Sequence, residues 1–249
     1  MRAFQFTKMQ GLGNDFVVLE GPQQFSSADV TEICDRRFGV GADGVLVVTN
    51  GDPIRMEYWN ADGSPAQMCG NGLRCVARYA YDRGWARDRN FPIQTPVGTR
   101  GVRVFEDRVE AELGRPALQG TITVDGSDYQ LVDIGNPHAV TFVDDPAAAD
   151  VAGVGKAMQS EFPDGANIEF VSRRKEGVAL RVWERGVGET LACGTGMAAA
   201  AAVAAERHGL SSPIPVSVPG GDATIDIRDG VAWIIGPAEY SFRGSVGER

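Results

Sequence analysis

Metal-ligating residues are few: two histidines and four cysteines in 249 residues. No two cysteines stand at C-x-x-C spacing, which argues against a zinc site or a redox dithiol. No G-x-x-x-x-G-K-[ST] run occurs, so a phosphate-cradling loop of that type is absent. No basic run offsets the formal net charge of −9, which argues against a nucleic-acid partner. The segment Met1-Arg2-Ala3-Phe4-Gln5-Phe6 lacks the charged-then-apolar pattern of a secretion signal. The most apolar helix, Met197 to Glu206, is far too short to cross a membrane, which takes about 20 apolar residues. A cytoplasmic protein without a membrane partner is expected, and its cysteines read as free or catalytic thiols rather than disulfides. Lysine is scarce too: only Lys8, Lys156 and Lys175 are available to a pyridoxal Schiff base, and none lies in the repeated turns described next. No cofactor and no metal are expected.

What the chain does hold is a motif met twice. Leu191-Ala192-Cys193-Gly194-Thr195-Gly196-Met197 runs into the alanine-rich Ala198–Ala205. Met68-Cys69-Gly70-Asn71-Gly72-Leu73 runs into Arg74–Ala80. The Cys-Gly-X-Gly turns begin at 69 and 193, 124 positions apart, and each cysteine follows a tryptophan (Trp59, Trp183) by ten residues. Gly41-Ala42-Asp43-Gly44-Val45-Leu46 precedes Gly165-Ala166-Asn167-Ile168-Glu169-Phe170 by the same 124. Gly13-Asn14-Asp15-Phe16 answers Gly135-Asn136-Pro137-His138 at a shift of 122. Blocks in one register indicate an internal duplication with a unit of about 120 residues, the size of a domain.

In each motif a cysteine stands at the mouth of a helix. The second helix is apolar all round until Glu206 and Arg207, with Gly209 as its stop, so it belongs inside the protein. Around the helices the chain reads as short strands: 3–9, 16–19, 45–49, 54–59, 91–95, 101–105 and 108–113 in the first half. The second half gives 121–124, 129–134, 138–143, 168–172, 177–183, 214–218, 223–227, 231–235 and 238–242. Gly126-Ser127-Asp128 reads as a hairpin turn, and Glu184 to Glu189 as a loop leading to Cys193. A helix begins near Ser26 with Val30, Ile33 and Cys34 inward and ends over 36–39, and a short helix lies within 144–158. Cys34 and Cys75 read as core packing. The fold class is α+β: two related domains, each a sheet wrapped around one hydrophobic helix. Gly114-Arg115-Pro116 marks the boundary, giving domains at 1–115 and 116–237, with the last strand, about 238–249, free to return to the first.

Helix N-termini attract carboxylates and lower thiol pKa values from about 8.5 toward neutrality. Two such ends facing one another would hold a carboxylate on two positive poles, with a sulfur on each side of the adjacent carbon. That arrangement suits removal of a proton from one face of an α-carbon and its return on the other, one cysteine as thiolate base and its partner as thiol acid. The remaining polar residues read two ways. Asn14, Asn60, Asn136 and Asn167 lie in turns, where asparagine is common, or present amides to a ligand. His138 is a core histidine or a site residue, and Arg185 a solvated charge or a carboxylate clamp.

Six segments together carry a resemblance: Gly11-Leu12-Gly13-Asn14-Asp15-Phe16, Asn60-Ala61-Asp62-Gly63-Ser64, Cys69 to Cys75, Gly135-Asn136-Pro137-His138, Glu184 to Thr190, and Ala192 to Gly196. Their order resembles the diaminopimelate epimerases along nearly the whole chain. The resemblance implies two pseudo-symmetric αβ barrels with the active site in the cleft between them, a homodimer, and cofactor-free interconversion of LL- and meso-diaminopimelate on the route to lysine and cell-wall peptide. It implies Cys69 and Cys193 as the base–acid pair, and Gly70, Asn71, Gly194 and Thr195 as backbone donors to the reacting carboxylate. It further implies Asn14, Asn60, Asn136, Asn167 and Arg185 as substrate contacts, Glu184 as receiver of an ammonium group, and His138 with Glu184 as the pair that tunes the thiols. The chain departs from the pattern in its shortness and in Gly44, where some members place glutamine. A cofactor-free racemase of another amino acid, or a thiol redox sensor without turnover, are the competing readings.

Overall fold

Short runs of Val, Ile and Phe broken by glycine pairs cannot propagate a helix and instead make strands. The computed structural model describes residues 3–247. Two units divide the chain: residues up to Ala111 together with those from Gly236 onward, and Glu112–Ile235.

The first unit holds β1 (Phe4–Gly11), β2 (Asn14–Glu20), α1 (Ser27–Cys34), β3 (Gly44–Thr49), β4 (Ile54–Asn60), α2 (Gly70–Asp82), β5 (Asn90–Thr95) and β6 (Gly98–Val104). Strand β7 (Val109–Gly114) then carries the chain across the division. The chain's last strand, β17 (Glu239–Val246), pairs antiparallel with β1, Phe4 opposite Val246. Pairing continues β1–β2 antiparallel, β2–β3 parallel, β3–β4 antiparallel, β4–β5 parallel, then β5–β6 and β6–β7 antiparallel. Helix α2 packs on β1, β2, β3, β4 and β6.

The second unit holds β8 (Ala117–Val124), β9 (Ser127–Asp133), β10 (Pro137–Phe142), α3 (Val151–Met158), β11 (Asn167–Arg173), β12 (Val178–Glu184) and β13 (Gly188–Thr190). It continues with α4 (Gly194–His208), β14 (Ile214–Val218), β15 (Gly221–Arg228) and β16 (Val231–Gly236). Its pairings are β8–β9 and β9–β10 antiparallel, β10–β11 parallel, β11–β12 antiparallel, β12–β14 parallel, and β14–β15 and β15–β16 antiparallel. The two units therefore share one eight-strand order, with β17 standing in the first where β8 stands in the second. This is an α+β architecture of mixed parallel and antiparallel strands with few helices. Met197 to Ala201, Val203 and Ala204 are wholly buried, because α4 packs on β9, β10, β11, β12, β14 and β15. Alanine suits that position: it favours helix and lets strands approach closely.

Three local expectations are corrected. The β8–β9 hairpin turns on Asp125 (φ 49°) and Gly126 (φ 77°), and Ser127 and Asp128 already belong to β9. A two-residue turn with both φ positive matches strand twist better than a longer loop. Helix α1 stops at Cys34, not over 36–39, because the Asp35 carboxylate accepts the N–H groups of Arg37 and Phe38 and draws the chain out of helix. Residues 184–189 are not a plain loop: Glu184 ends β12, which pairs with β13, Glu184 opposite Gly188.

Candidate active site

In the first unit the sequence Met68-Cys69-Gly70-Asn71-Gly72 resolves into a helix cap. Cys69 adopts extended backbone (φ −146°, ψ 109°) as the N-cap of α2, and its Sγ accepts the Gly72 N–H at 3.3 Å. The same Sγ stands 3.6 Å from Asn14 Oδ1, which also accepts from Asn71 Nδ2 at 3.3 Å. Asn14 is anchored in turn by Asp43 Oδ2 at 2.8 Å, and Arg36 bridges Asp43 and Asp15 at 2.7 Å each. Burial would raise the Asp15 carboxyl, but hydrogen bonds and charge from Arg36 and Lys8 hold it down at about 2. The amide shelf beside Cys69 thus rests on fixed charges. Asn60 is held in its own loop by Ser64 (Nδ2 to Oγ, 3.1 Å). Gly44 has no room for any larger residue: a Cβ there would lie 2.5 Å from the Trp59 carbonyl oxygen and 2.6 Å from the Tyr58 ring.

The second unit repeats the cap. Cys193 (φ −115°, ψ 115°) precedes α4, and its Sγ accepts the Gly196 N–H at 3.4 Å and meets Thr195 Oγ1 at 3.4 Å. Helix geometry leaves the first-turn N–H groups, those of Gly70 and Asn71 in α2 and of Gly194 and Thr195 in α4, without intrahelical acceptors. Around Cys193 the surroundings are charged. His138 Nδ1 lies 2.6 Å from Glu169 Oε1, and both side chains are fully buried. His138 Nε2 faces Asn136 Oδ1 at 3.2 Å, and Asn136 Nδ2 reaches Thr195 Oγ1 at 3.4 Å. Glu184 accepts from the Thr190 hydroxyl and bonds the Cys193 thiol. Asn167 Oδ1 accepts the Arg185 backbone N–H at 2.9 Å, while the exposed Arg185 guanidinium donates to the Asp164 carbonyl at 3.1 Å.

The expectation that a helix N-terminus brings the thiol toward neutrality fails at Cys193. Burial, then the charges of Glu184 and Glu169, push it well above 9.0, outweighing the Thr195 and Gly196 hydrogen bonds. At neutral pH Cys193 is therefore a thiol. Glu184 is itself raised, chiefly by burial, against hydrogen bonds from Thr190 and Cys193. Cys34 and Cys75 are raised by burial to about 11 and about 12, as befits inert packing thiols. Among the described residues no three His, Cys, Asp or Glu side chains gather to hold a metal ion, and no helix is long and apolar enough to cross a membrane.

Sequence reasoning missed Glu169, Asp43 and Thr190. Only one signal pointed to Glu169: a charge inside the apolar run 168–171, where the strand register puts Leu46 in the other unit.

Compared with known proteins, residues 6–118 and 130–240 match the profile of the family described as diaminopimelate epimerase. The chain belongs to the diaminopimelate epimerase family. This is a family of isomerases. The diaminopimelate epimerase of Moorella thermoacetica is 38% identical, covering 96% of this chain and 98% of that protein. That of Alkalilimnicola ehrlichii is 40% identical, covering 97% and 98%. Solved structures share the fold at low identity. A PhzF-family phenazine biosynthesis protein from Enterococcus faecalis gives a TM-score of 0.77 at 12% identity, covering 99% of this chain and 100% of that one. A hydroxyproline epimerase from Agrobacterium vitis with bound trans-4-hydroxy-L-proline gives 0.75 at 14%, covering 98% and 92%.

Proposed function

We propose that this protein is a cofactor-free diaminopimelate epimerase, with Cys69 and Cys193 as its two proton-transfer groups. The observation that carries this reading is the matched pair of caps. Each cysteine stands one residue ahead of a buried helix, each sulfur accepts the N–H three residues on, and the two occupy equivalent places in duplicated units. The reading requires both sulfurs to reach one α-carbon. A Cys69 thiolate takes the α-proton, and negative charge develops on the carbon and its carboxylate. First-turn N–H groups of α2 and α4 stabilise that charge. The Cys193 thiol then returns a proton to the opposite face. The product complex holds Cys69 protonated and Cys193 as thiolate, so the reverse reaction exchanges the roles. Asn14, Asn60, Asn136, Asn167, Glu184 and Arg185 recognise the ends of the substrate, and His138 with Glu184 tunes the thiols. The same reading makes the protein a cytoplasmic homodimer, which light scattering on the purified chain checks for its assembly state.

The test is solvent exchange. Reduced protein is incubated with LL-diaminopimelate in deuterated water without added cofactor, and deuterium is expected at one α-carbon as the meso isomer forms. C69S and C193S should each lower turnover by about 10²–10⁴-fold while circular dichroism stays native. Exchange into another amino acid but not into diaminopimelate would transfer the assignment to a related racemase. No exchange with intact thiols, together with a reversible disulfide, would replace it with the redox reading.

A further inference from the structure

The duplication supplies an internal control for the buried charges around Cys193. By strand register His138 corresponds to Phe16 and Glu169 to Leu46: Phe16 pairs with Gly44 as His138 does with Asn167, and Leu46 lies opposite Tyr58 as Glu169 lies opposite Val182. Phe16 and Leu46 are wholly buried, so the fold accepts an apolar pair at these places. The second unit instead buries a histidine and a carboxylate and leaves Glu169 Oε2 without a hydrogen-bond partner. Packing alone gives no reason to carry that desolvation cost.

Room for the carboxylate is made by Gly196, where a Cβ would lie 2.8 Å from Glu169 Oε1. At the matching Gly72 the nearest groups are Leu46, Cys69 and Met56 carbons, with no carboxylate. Glu169 therefore lies at the positive end of α4. The imidazole meets an oxygen at each nitrogen, Glu169 Oε1 at Nδ1 and Asn136 Oδ1 at Nε2. A neutral ring has one N–H and satisfies only one of them; an imidazolium satisfies both. The titratable groups facing the ring are Glu169 from β11, Glu184 from β12, and the thiol of Cys193 at the head of α4.

We infer that Glu169 is a positioning residue: it keeps His138 as the imidazolium, whose Nε2–H holds the Asn136 amide with its NH2 group turned toward Thr195 and the mouth of α4. A relay of four contacts thus leads from Glu169 to the cap that bears Cys193. Remove the charge and His138 becomes neutral with its proton on Nδ1. Its bare Nε2 then asks Asn136 for a donor, and the amide turns over, presenting oxygen where an anionic carboxylate is to dock. The second consequence rests on the epimerase reading; the protonation state does not.

The test separates the two. The chain has only two histidines, so nitrogen-15 imidazole spectra resolve them, and His138 is assigned by loss of its signal in H138Q. At about pH 8, well above the ordinary histidine pKa of about 6.5, wild-type His138 should give the imidazolium pattern and E169Q the neutral one. A neutral His138 in wild type, or an imidazolium that persists in E169Q, overturns the inference whatever the enzyme turns over. In kinetics, E169Q should lower kcat/KM about tenfold or more, mainly through KM, and the H138Q/E169Q double variant should be no worse than H138Q alone. Independent, multiplying losses would show that Glu169 does not act through His138. H138F/E169L copies the pair of the first unit. A native melting profile for it, with turnover lost, is expected; unfolding would show the charged pair to be needed for the fold itself and would likewise overturn the inference.

Discussion

Cys69 and Cys193 occupy the same place in two related units, yet their surroundings differ in sign. The first sulfur is half-buried and meets the amide oxygen of Asn14; the second is buried beside two carboxylates. Iodoacetamide attacks thiolates, so accessibility and charge act in the same direction. Timed alkylation with peptide mapping at about neutral pH should label Cys69 first. Cys193, whose thiol is raised, should gain reactivity only as the pH climbs past 9.0. Early labelling of Cys193 would contradict the electrostatic account. The two cysteines were legible in sequence because glycines at fixed offsets and a second copy marked them. Glu169 was not. Glutamate is common on strand edges, and its partner His138 is 31 residues away, so only the fold brings the charges together. The direction of the thiol shift was also illegible, since it depends on burial and on carboxylates delivered by β11 and β12 rather than on the helix that the sequence announces.

Among the elements, α4 carries the clearest message. Eight consecutive helical residues with no polar face predicted burial on all sides, and the strands that surround it account for that. Ala198 to Ala201 are wholly buried among those strands. Ala200→Leu, at a position with no exposure, should cost about 1–3 kcal/mol by forcing the strands apart, whereas Glu206→Leu on the exposed last turn should change stability by no more than about 0.5 kcal/mol. Urea denaturation of the two variants checks the contrast; equal effects would mean that α4 is looser than its burial indicates. Strand positions were legible from alternation, but the β8–β9 turn and the small β13 were not. The turn depends on positive φ at Asp125, and β13 on a pairing made only once Glu184 has extended β12.

For the whole molecule, the duplication was readable from spacing. The matching strand orders show how deep it runs, and also where it is rearranged: the first unit takes its outermost strand, β17, from the far end of the chain. Phe242 of β17 packs edge-on against Phe6 of β1, ring centres 5.8 Å apart. Deleting residues 239–249 should therefore strip hydrogen-exchange protection from β1 while α4 keeps its own, a difference that mass spectrometry of deuterated peptides reads directly. Uniform loss in both units would show that they do not hold their structure separately.

The pairing of Phe4 with Val246 also sets an order of events during synthesis. Nascent chains usually mature from the amino end. Here β1, made early, pairs at once with β2 but waits for β17 to cover its other edge. That edge of β1 stays open to pairing with another chain until residues 239–246 have been made and released.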